Sequence, residues 1–272
     1  MTATTAPFTV MGVLNVTPDS FSDGGEWFGH DDAVTHGLEL ARQGAAILDV
    51  GGESTRPGAL PVPADEELRR TVPVVGALAR SGATVSIDTS KLEVAEAALA
   101  AGATYVNDVT AFRAAPEMAG LVADRGATCC LMHMRGEPRT MQDAPRYDDV
   151  VSDVKAFLEQ RIEFAVTEGV REDRIHLDPG IGFGKGLAHN LELLRRLDEL
   201  TTLGFPLLIG TSRKSFIGRL TGATDPHDRV PGTLATCVMA LERGATLFRV
   251  HDVREAVQAL AVAAATLRAD GA

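Results

Sequence analysis

Polar groups that can bind ligands or take part in reactions stand at or shortly after the ends of eight short apolar runs of this 272-residue chain. In chain order they are Asn15, Glu53, Asp88, Asn107 with Asp108, His133, Asp178, Ser212 with Arg213 and Lys214, and Arg249 with His251. Carboxylates, amides, imidazoles and cations are the groups from which small-molecule and catalytic sites are built. Their regular recurrence indicates that one repeated fold carries them to a common place.

The acidic members of this set suit a flat heterocycle that has an amidine-like edge. Asp88 and Asp178 each provide a carboxylate, which accepts two parallel N–H bonds from such an edge. Asn107 adds an amide that both donates and accepts, and Lys214 can donate to a ring carbonyl or ring nitrogen. The same residues are also compatible with a structural salt-bridge network, because buried charges need partners. Both interpretations stay open at this point.

The cationic members favour an anion. Arg249 and His251 alternate along one apolar run and therefore project to the same side. Arg56 lies in a turn-rich loop, and a helix that starts near Ser215 offers unpaired backbone N–H groups. Together with the side-chain oxygen of Asn15, these groups can bind a diphosphate and its Mg²⁺; for His251 alone, an ordinary hydrogen-bonded histidine is the alternative. The predicted cavity has acid on one wall and base on the opposite wall.

The apolar runs are short and strand-like, and a helical pattern follows nearly every one. The runs cover residues 10–14, 46–50, 84–87, 105–106, 128–132, 174–177, 207–209 and 247–250. Apolar stripes at helical spacing include Val34-Leu38-Ala41, Leu68-Val72-Val75-Ala79, Val150-Val154-Phe157/Leu158-Ile162-Ala165 and Val253-Val257-Leu260-Ala264. Strand then helix, eight times over, predicts an α/β fold of the (β/α)₈ TIM-barrel class. In such barrels the C-terminal ends of the strands point at the active site, so the polar groups should converge there.

The organisation of the chain predicts a single domain over residues 1–272, with the barrel core at about 8–268, because no linker-like or low-complexity segment interrupts the alternation. Two helices are expected between strands seven and eight, one from Ser215 and one near 233–243. The loops 15–25 and 51–58 are rich in glycine, proline and polar residues. We expect both loops to act as lids that close over a substrate.

Composition excludes several classes of partner. The chain has 26 Lys and Arg against 37 Asp and Glu, a net charge of −11, which argues against binding to nucleic acid or anionic membranes. No apolar run reaches the roughly 18 residues of a membrane span, and the N-terminus lacks a secretory pattern, so a cytoplasmic location is expected. Cys129, Cys130 and Cys237 show no metal or redox spacing and are predicted to be buried and inert.

The chain resembles the dihydropteroate synthase family over almost its whole length. The resemblance rests on segments in the family's order at the predicted strand ends: MGVLNVTPDSFSDGG, DVGGESTRPGA, SIDTSK, NDVTA, LMHMRGEPRTMQ, LDPGIGFGK, GTSRKSFIG and RVHDV. It implies a TIM barrel that joins 6-hydroxymethyl-7,8-dihydropterin diphosphate to p-aminobenzoate, releasing diphosphate and 7,8-dihydropteroate. It also implies Mg²⁺ as cofactor, a homodimer, and a target of sulfonamides.

The resemblance also assigns roles to individual residues. The pterin diphosphate would be bound by Thr55, Asp88, Asn107, Met132, Asp178, Phe183, Lys214, Arg249 and His251, of which Asp88, Lys214, Arg249 and His251 would be catalytic. The p-aminobenzoate and the lids would involve Phe21, Thr55, Arg56, Pro57 and Ser215, and Asn15 would contact Mg²⁺. We expect substitutions at Phe21 and Thr55 to change sulfonamide inhibition more than pterin binding.

The expected mechanism needs no side-chain nucleophile. Diphosphate leaves ahead of attack by the neutral arylamine, and no convincing Ser-His-Asp or Cys-His arrangement is present, so His133 and Ser212 are interpreted as structural. Two other hypotheses stay open. A methyltransferase that presents a folate to a corrinoid partner would share the acidic pterin set but would not need Arg56, the SRKS segment and RVHD together. A non-catalytic paralogue would bind the pterin diphosphate and leave it intact.

Overall fold

The computed structural model describes residues 8–17, 28–54, 59–136, 141 and 145–268, and within them parallel strands alternate with helices. The strands are β1 (Thr9–Asn15), β2 (Ile47–Gly51), β3 (Val85–Asp88), β4 (Tyr105–Asp108), β5 (Thr128–Met132), β6 (Ile175–Asp178), β7 (Leu208–Ile209) and β8 (Leu247–Val250). Each agrees with a predicted apolar run to within two residues at either end. The predicted TIM-barrel fold class is confirmed.

The helices follow the strands as the sequence indicated. They are α1 (Phe28–Arg42), α2 (Ala64–Arg80), α3 (Leu92–Ala101), α4 (Glu117–Arg125), α5 (Val150–Thr167), α6 (Leu187–Arg195), α7 (Asp198–Thr201), α8 (Ser215–Thr221), α9 (Val230–Glu242) and α10 (Val253–Arg268). The two helices expected between β7 and β8 are α8 and α9, and α8 begins at Ser215 as predicted. None of the described helices combines the length and apolar character needed to cross a membrane.

The sheet closes on itself almost completely. Its strand order is β6-β5-β4-β3-β2-β1-β8-β7, so β1 pairs in parallel with both β2 and β8. The remaining seam lies between β6 and β7, where Leu177 and Leu207 form an isolated bridge. There the amide of Leu177 donates to the carbonyl of Pro206 at 3.0 Å. Closure brings strands that are far apart in sequence to within side-chain reach across the barrel.

Alternate residues of each strand face the barrel interior or the surrounding helices. An apolar layer inside the barrel consists of Met11, Ile47, Tyr105, Cys130, Leu208 and Leu247. On β2, Leu48 and Val50 belong instead to the core between sheet and helices. The same alternation places Asp49 and Gly51 on the interior face, above Ile47.

The predicted helix stripes hold for α5 and α10, but those of α1 and α2 are wrong in part. In α1 the buried residues are Ala33, Gly37 and Leu40, whereas the predicted Val34, Leu38 and Ala41 are half-buried, a shift of one residue. The stripe of α2 is shifted as well. The buried face of α2 is centred on Glu67, Thr71, Val74, Val75 and Leu78, whereas the predicted Leu68, Val72 and Ala79 are only half-buried. The predicted stripe for this helix was therefore rotated by about one residue. Two polar residues account for this shift of the buried face. Glu67 forms an ion pair with Lys91, and the hydroxyl of Thr71 donates to the carbonyl of Glu67 at 2.8 Å. Satisfied polar groups can be buried where an apolar stripe was expected.

The three cysteines are buried and unpaired, as predicted. Burial raises the pKa of Cys129 and of Cys237 to about 12. The reactive thiolate form is therefore disfavoured at neutral pH.

Candidate active site

The residues predicted to bind ligands lie at the C-terminal ends of the strands. Asp88, Met132 and Asp178 are the last residues of β3, β5 and β6, and Asn15 ends β1. Strand pairing places Asp88 opposite Asn107 and Met132 opposite Asp178, and Asn107 is itself opposite Cys130, two residues before Met132. The fold thus brings these five residues to one end of the barrel.

Acidic and basic residues approach one another around Gly210, which lies directly after β7. A methyl group built on Gly210 would lie 3.9 Å from Oδ2 of Asp178, 4.0 Å from Nζ of Lys214 and 3.9 Å from Cβ of Arg249. These three side chains come from β6, from the loop before α8 and from β8. Asp178 and Arg249 are therefore close enough for one ligand to reach both.

Arg249 does not stand on a wall opposite the acids. Its Nη2 donates to Oδ2 of Asp88 and its Nε donates to Oδ2 of Asp49, both at 2.6 Å. The prediction of an acidic wall facing a basic wall is therefore wrong. The arginine side chain crosses from β8 to β2 and β3, because a guanidinium inside a barrel needs carboxylates to offset its lost hydration. Three of its five N–H groups have no hydrogen bond with a described residue.

Asp49 is a site residue that sequence reasoning missed. It is 0% exposed, and its Oδ2 also accepts a hydrogen bond from Nδ2 of Asn107 at 3.0 Å. Its Oδ1 is buried without a partner among the described residues. The sequence did contain a signal for this residue, since Asp49 stands in the middle of an apolar run, on the same strand face as Gly51. Aspartate is rarely buried unless it is paired, so its position indicates a partner inside the barrel.

The two predicted carboxylates have unusual acidities. Burial raises the pKa of Asp88 to about 7, and the nearby Arg249 only partly opposes that effect. Burial also raises the pKa of Asp178, opposed first by Lys214 and then by the hydrogen bond from the backbone amide of Gly180, at 2.7 Å. Both groups therefore hold a proton more readily than surface aspartates do.

Lys214 lies between an acid and an aromatic ring. Its Nζ donates to the carbonyl of Ile181 and sits 4.5 Å from the centre of the Phe183 ring. Burial lowers the pKa of Lys214 to about 8, while Asp178 opposes this shift. Phe183 also packs on the buried cluster that contains Met132, so the predicted apolar contacts lie together beside the lysine.

Lys185 is a second residue whose role the sequence did not reveal. It is 1% exposed, and its Nζ lies 2.8 Å from Nδ1 of His133. The same ammonium group donates to the carbonyls of Gly180 at 2.9 Å and Phe183 at 3.0 Å. Burial lowers the pKa of Lys185 well below its ordinary value, and burial and Lys185 lower that of His133 to about 2. His133 thus supports the loop that follows Asp178, consistent with its structural interpretation.

Ser212 and Arg213 position the neighbouring site residues. The hydroxyl of Ser212 lies 2.9 Å from Nδ1 of His251 and also accepts the His251 backbone amide at 3.1 Å. Arg213 has a left-handed backbone, with φ of 58°, and its side chain binds both carboxylate oxygens of Asp252. This fork ties the loop that carries Lys214 to the segment that carries His251. Ser212, interpreted as structural, therefore acts directly on a predicted catalytic residue.

The predicted p-aminobenzoate residues are only partly visible. Ser215 is the first residue of α8 and is exposed. The others lie outside the described residues: Phe21, Thr55, Arg56 and Pro57. The assignment of both loops as lids therefore stays a prediction.

The start of the second loop is held by an ion-pair network. Lys91, which precedes α3, donates to Glu53 and to the buried Glu67 of α2. The carboxylate of Glu53 also accepts the backbone amide of Val62 at 3.3 Å. The ends of this loop are thus anchored on both sides of the segment 55–58.

The site presents acceptors, donors and an apolar surface at one end of the barrel. Asp88, Asp178 and Asn107 can accept N–H groups, while Lys214 and Arg249 supply positive charge next to them. This combination can bind a polar, nitrogen-rich ring and an attached anion at the same time. Among the described residues, no group of three His, Cys, Asp or Glu side chains is arranged to hold a metal ion.

Comparison with known proteins gives one consistent result. Residues 11–251 match the sequence profile of the family described as "Pterin binding enzyme". The dihydropteroate synthase of Mycobacterium leprae is 50% identical over 270 residues, covering 97% of this chain and 95% of that protein.

Solved structures are similar over the same extent. The Yersinia pestis dihydropteroate synthase in a sulfonamide drug complex has a TM-score of 0.90 at 46% identity, covering 96% of this chain and 94% of that one. The Xanthomonas albilineans dihydropteroate synthase with 4-aminobenzoic acid has a TM-score of 0.90 at 51% identity, covering 95% and 93%. The similarity therefore extends over nearly the full length of each protein.

Proposed function

Because this chain belongs to the dihydropteroate synthase family, we propose that it joins 6-hydroxymethyl-7,8-dihydropterin diphosphate to p-aminobenzoate. The products are 7,8-dihydropteroate and diphosphate, and the enzyme is a transferase of the pterinylmethyl group. The observation that carries this proposal is the convergence of Asp178, Lys214 and Arg249 around Gly210. A pterin diphosphate needs acceptors for its ring N–H groups and cations for its tail, and these residues offer both.

The pterin ring is bound by the acidic and amide groups in this proposal. Asp88, Asn107 and Asp178 accept its N–H groups, and Lys214 donates to its carbonyl oxygen or a ring nitrogen. The raised pKa of Asp88, about 7, is compatible with a group whose charge depends on the ligand beside it. Met132 and Phe183 provide the apolar contacts to the ring.

The diphosphate is stabilised as it leaves. Arg249 has three N–H groups that form no hydrogen bond with a described residue. In addition to its bonds with Asp49 and Asp88, it can therefore donate hydrogen bonds to an anion. His251, oriented by Ser212, and Thr55 complete the anion contacts. The methylene carbon gains cationic character as the C–O bond breaks, and Asp88 stabilises that charge. The neutral arylamine then attacks the methylene carbon, and its nitrogen loses one proton to solvent as the C–N bond forms, so no enzyme nucleophile is needed.

Mg²⁺ is the proposed cofactor. Asn15, half-buried at the end of β1, would supply its side-chain oxygen, a hard ligand that suits this ion. β1 is the direct neighbour of β8, and Asn15 lies on β1 four residues beyond Met11, which is paired in register with Arg249. When bound, Mg²⁺ neutralises charge on the diphosphate.

The p-aminobenzoate pocket is proposed to form from Phe21, Arg56, Pro57 and Ser215, with Thr55 shared between both substrates. The support comes from relatives, since one was solved with 4-aminobenzoic acid and another in a sulfonamide drug complex. On this basis the protein is a sulfonamide target, and substitutions at Phe21 and Thr55 should alter inhibition more than pterin binding.

We further propose a cytoplasmic homodimer. Exposed apolar side chains on neighbouring outer helices support the dimer: Leu220 on α8, Met239 on α9, and Val262 on α10. Of these three side chains Val262 is the most exposed, at 69%.

The decisive experiment incubates the pure protein with both substrates and Mg²⁺ and measures diphosphate and 7,8-dihydropteroate. We expect both products in equal amounts, and loss of at least about 100-fold in rate for Lys214→Met and Arg249→Met, the range for removing a transition-state donor. Lys155→Met, on the exposed side of α5, is the matched control and should keep its activity.

The other functions give different results in the same assay. Pterin diphosphate that binds but stays intact would indicate a non-catalytic paralogue. Methyl transfer to a corrinoid without diphosphate release would indicate the methyltransferase.

A further inference from the structure

Asp49 lies one layer below the proposed pterin site. On β2 it is paired in register with Ser86 of β3, while the next inward residue, Gly51, is paired with Asp88. Its carboxylate therefore forms part of the floor under the site residues. One oxygen, Oδ2, is shared by Nε of Arg249 at 2.6 Å and Nδ2 of Asn107 at 3.0 Å.

We propose that Asp49 is a positioning residue for the transfer reaction: its buried carboxylate fixes the amide orientation of Asn107 and the guanidinium of Arg249, and thereby sets the specificity for the pterin. This inference rests on the proposed function of the site. It goes beyond it by assigning a role to a residue that does not itself belong to the predicted ligand contacts.

The orientation of Asn107 follows from hydrogen-bond chemistry. Oδ2 of Asp49 already receives Nε of Arg249, a group that can only donate, so this oxygen acts as an acceptor. The side chain of Asn107 must therefore turn its NH₂ group toward Asp49. Its carbonyl oxygen then points away from Asp49, and it makes no hydrogen bond with a described residue. Asn107 thus presents an acceptor, which a ligand N–H group can use and a ligand carbonyl cannot.

The hydrogen bond from Arg249 to Asp49 also limits the contact between Arg249 and Asp88. An arginine beside one carboxylate tends to bind both of its oxygens in a bidentate fork. Here Asp49 takes Nε, so Arg249 contacts Asp88 through Nη2 and Oδ2 alone. Oδ1 of Asp88 consequently stays available for a ligand. The other edge of the guanidinium is directed away from both carboxylates.

The first test is kinetic and uses Asp49→Asn, which keeps the size of the side chain and removes its charge. We expect the KM for the pterin diphosphate to rise about ten-fold or more, as for loss of one charge-assisted hydrogen bond, with the KM for p-aminobenzoate unchanged. Loss of stability and kcat with both KM values unchanged would overturn the proposal, because a merely structural carboxylate predicts that pattern.

Asp108→Asn is the matched control for this test. Asp108 is also 0% exposed, but it follows Asn107 on β4 and so faces the helices, where its acceptors are filled by its own loop. We expect this variant to lose stability while both KM values stay as in the wild type. A rise in the pterin KM equal to that of Asp49→Asn would overturn the proposal, since burial of any acid would then suffice.

A swap of the two side chains separates orientation from folding. In Asn107→Asp two carboxylates would face each other, whereas the double variant Asp49→Asn with Asn107→Asp restores a donor opposite an acceptor. It also again presents an acceptor to the ligand. We expect the double variant to bind the pterin more tightly than either single variant. Additive losses would overturn the proposed coupling.

A direct readout does not depend on catalysis. With ¹⁵N-asparagine labelling, the side-chain NH₂ signals of Asn107, assigned by their absence in Asn107→Asp, should exchange slowly with solvent in the ligand-free wild type. They should shift in Asp49→Asn. Fast exchange in the wild type, or unchanged signals in the variant, would overturn the proposal, even if the proposed reaction itself were not observed.

Discussion

Two residues of the site have pKa values close to neutral pH. Burial raises the pKa of Asp88 to about 7 and lowers that of Lys214 to about 8. Asp88 is charged above about pH 7, and Lys214 is charged below about pH 8. The window in which both are charged is therefore narrow, which gives pterin binding a distinct dependence on pH.

We predict that the affinity for 6-hydroxymethylpterin is greatest between about pH 7 and pH 8. Below this window Asp88 gains a proton and loses acceptor strength, and above it Lys214 loses the proton that it donates. Titration calorimetry across the pH range tests this, and a ligand without a diphosphate avoids the ionisation of that group.

Two variants separate the limbs of this profile. Asp88→Asn should remove the fall at low pH, and Lys214→Met should remove the fall at high pH. An affinity that is flat with pH in the wild type would contradict the assignment.

At the level of elements, the loops after the strands are held by contacts to other loops. The segment after β6 wraps around the ammonium of Lys185, and Gly180 has φ of 67° where an added methyl would lie 1.9 Å from the carbonyl oxygen of His133. The loop after β7 is tied to the segment after β8 by Arg213 and Asp252. Ligand-binding groups are thus fixed by neighbours that do not bind ligand.

We predict that Lys185→Met lowers the free energy of unfolding by about 3 kcal/mol, since several buried acceptors lose their donor. It should also raise the KM for the pterin diphosphate, because Asp178 and Phe183 flank the loosened loop. Urea unfolding and steady-state kinetics measure the two effects. Lys155→Met, which removes an exposed bond to Thr202, should change neither.

We predict that Asp252→Asn reduces kcat/KM several-fold while costing only about 1 kcal/mol of stability. The residue pairs with Arg213, which is strained in the left-handed region directly before Lys214, so releasing the fork should misplace that lysine. Asp173→Asn breaks a similar but exposed fork with Arg171 and serves as control. Equal kinetic loss in both variants would argue against a positioning role.

At the scale of the whole molecule, the net charge has the same sign as the proposed substrate. The chain carries a net charge of −11, yet its proposed substrate is an anion. Salt screens distant charges beyond roughly 8 Å, so local groups decide binding. Lys214 and Arg249 provide positive charge inside the site, where screening by solvent ions is weak.

The proposed homodimer gives a prediction at this scale. Val262→Glu, on the outer face of α10, should convert the dimer into a monomer because it places a charge among exposed apolar side chains. Light scattering after size exclusion measures the mass. Leu60→Glu is the control, since Leu60 is 78% exposed but precedes α2, and it should leave the dimer intact. A wild-type protein of 28.7 kDa in solution would contradict the dimer.

Whether a feature could be predicted from the sequence depends on how far apart the interacting residues are along the chain. The strand ends at Asp88 and Asp178 could be predicted because a change from apolar to polar residues is a local pattern. The buried face of α2 was predicted wrongly, since the burial of Glu67 depends on Lys91, 24 residues away. Asp49 was missed because its partners Asn107 and Arg249 are 58 and 200 residues distant.

The amino-acid sequence by itself determined the alternating strands and helices, the end of the barrel at which the polar residues gather, and the family to which the chain belongs. Only the tertiary structure decided which charges meet: Arg249 lies against Asp88, 161 residues away, and not on a wall of its own. The physical reason is closure of the sheet, which places β8 within hydrogen-bond reach of β2 and β3. Side-chain periodicity encodes which way a residue faces, but the partner it finds there depends on the whole barrel.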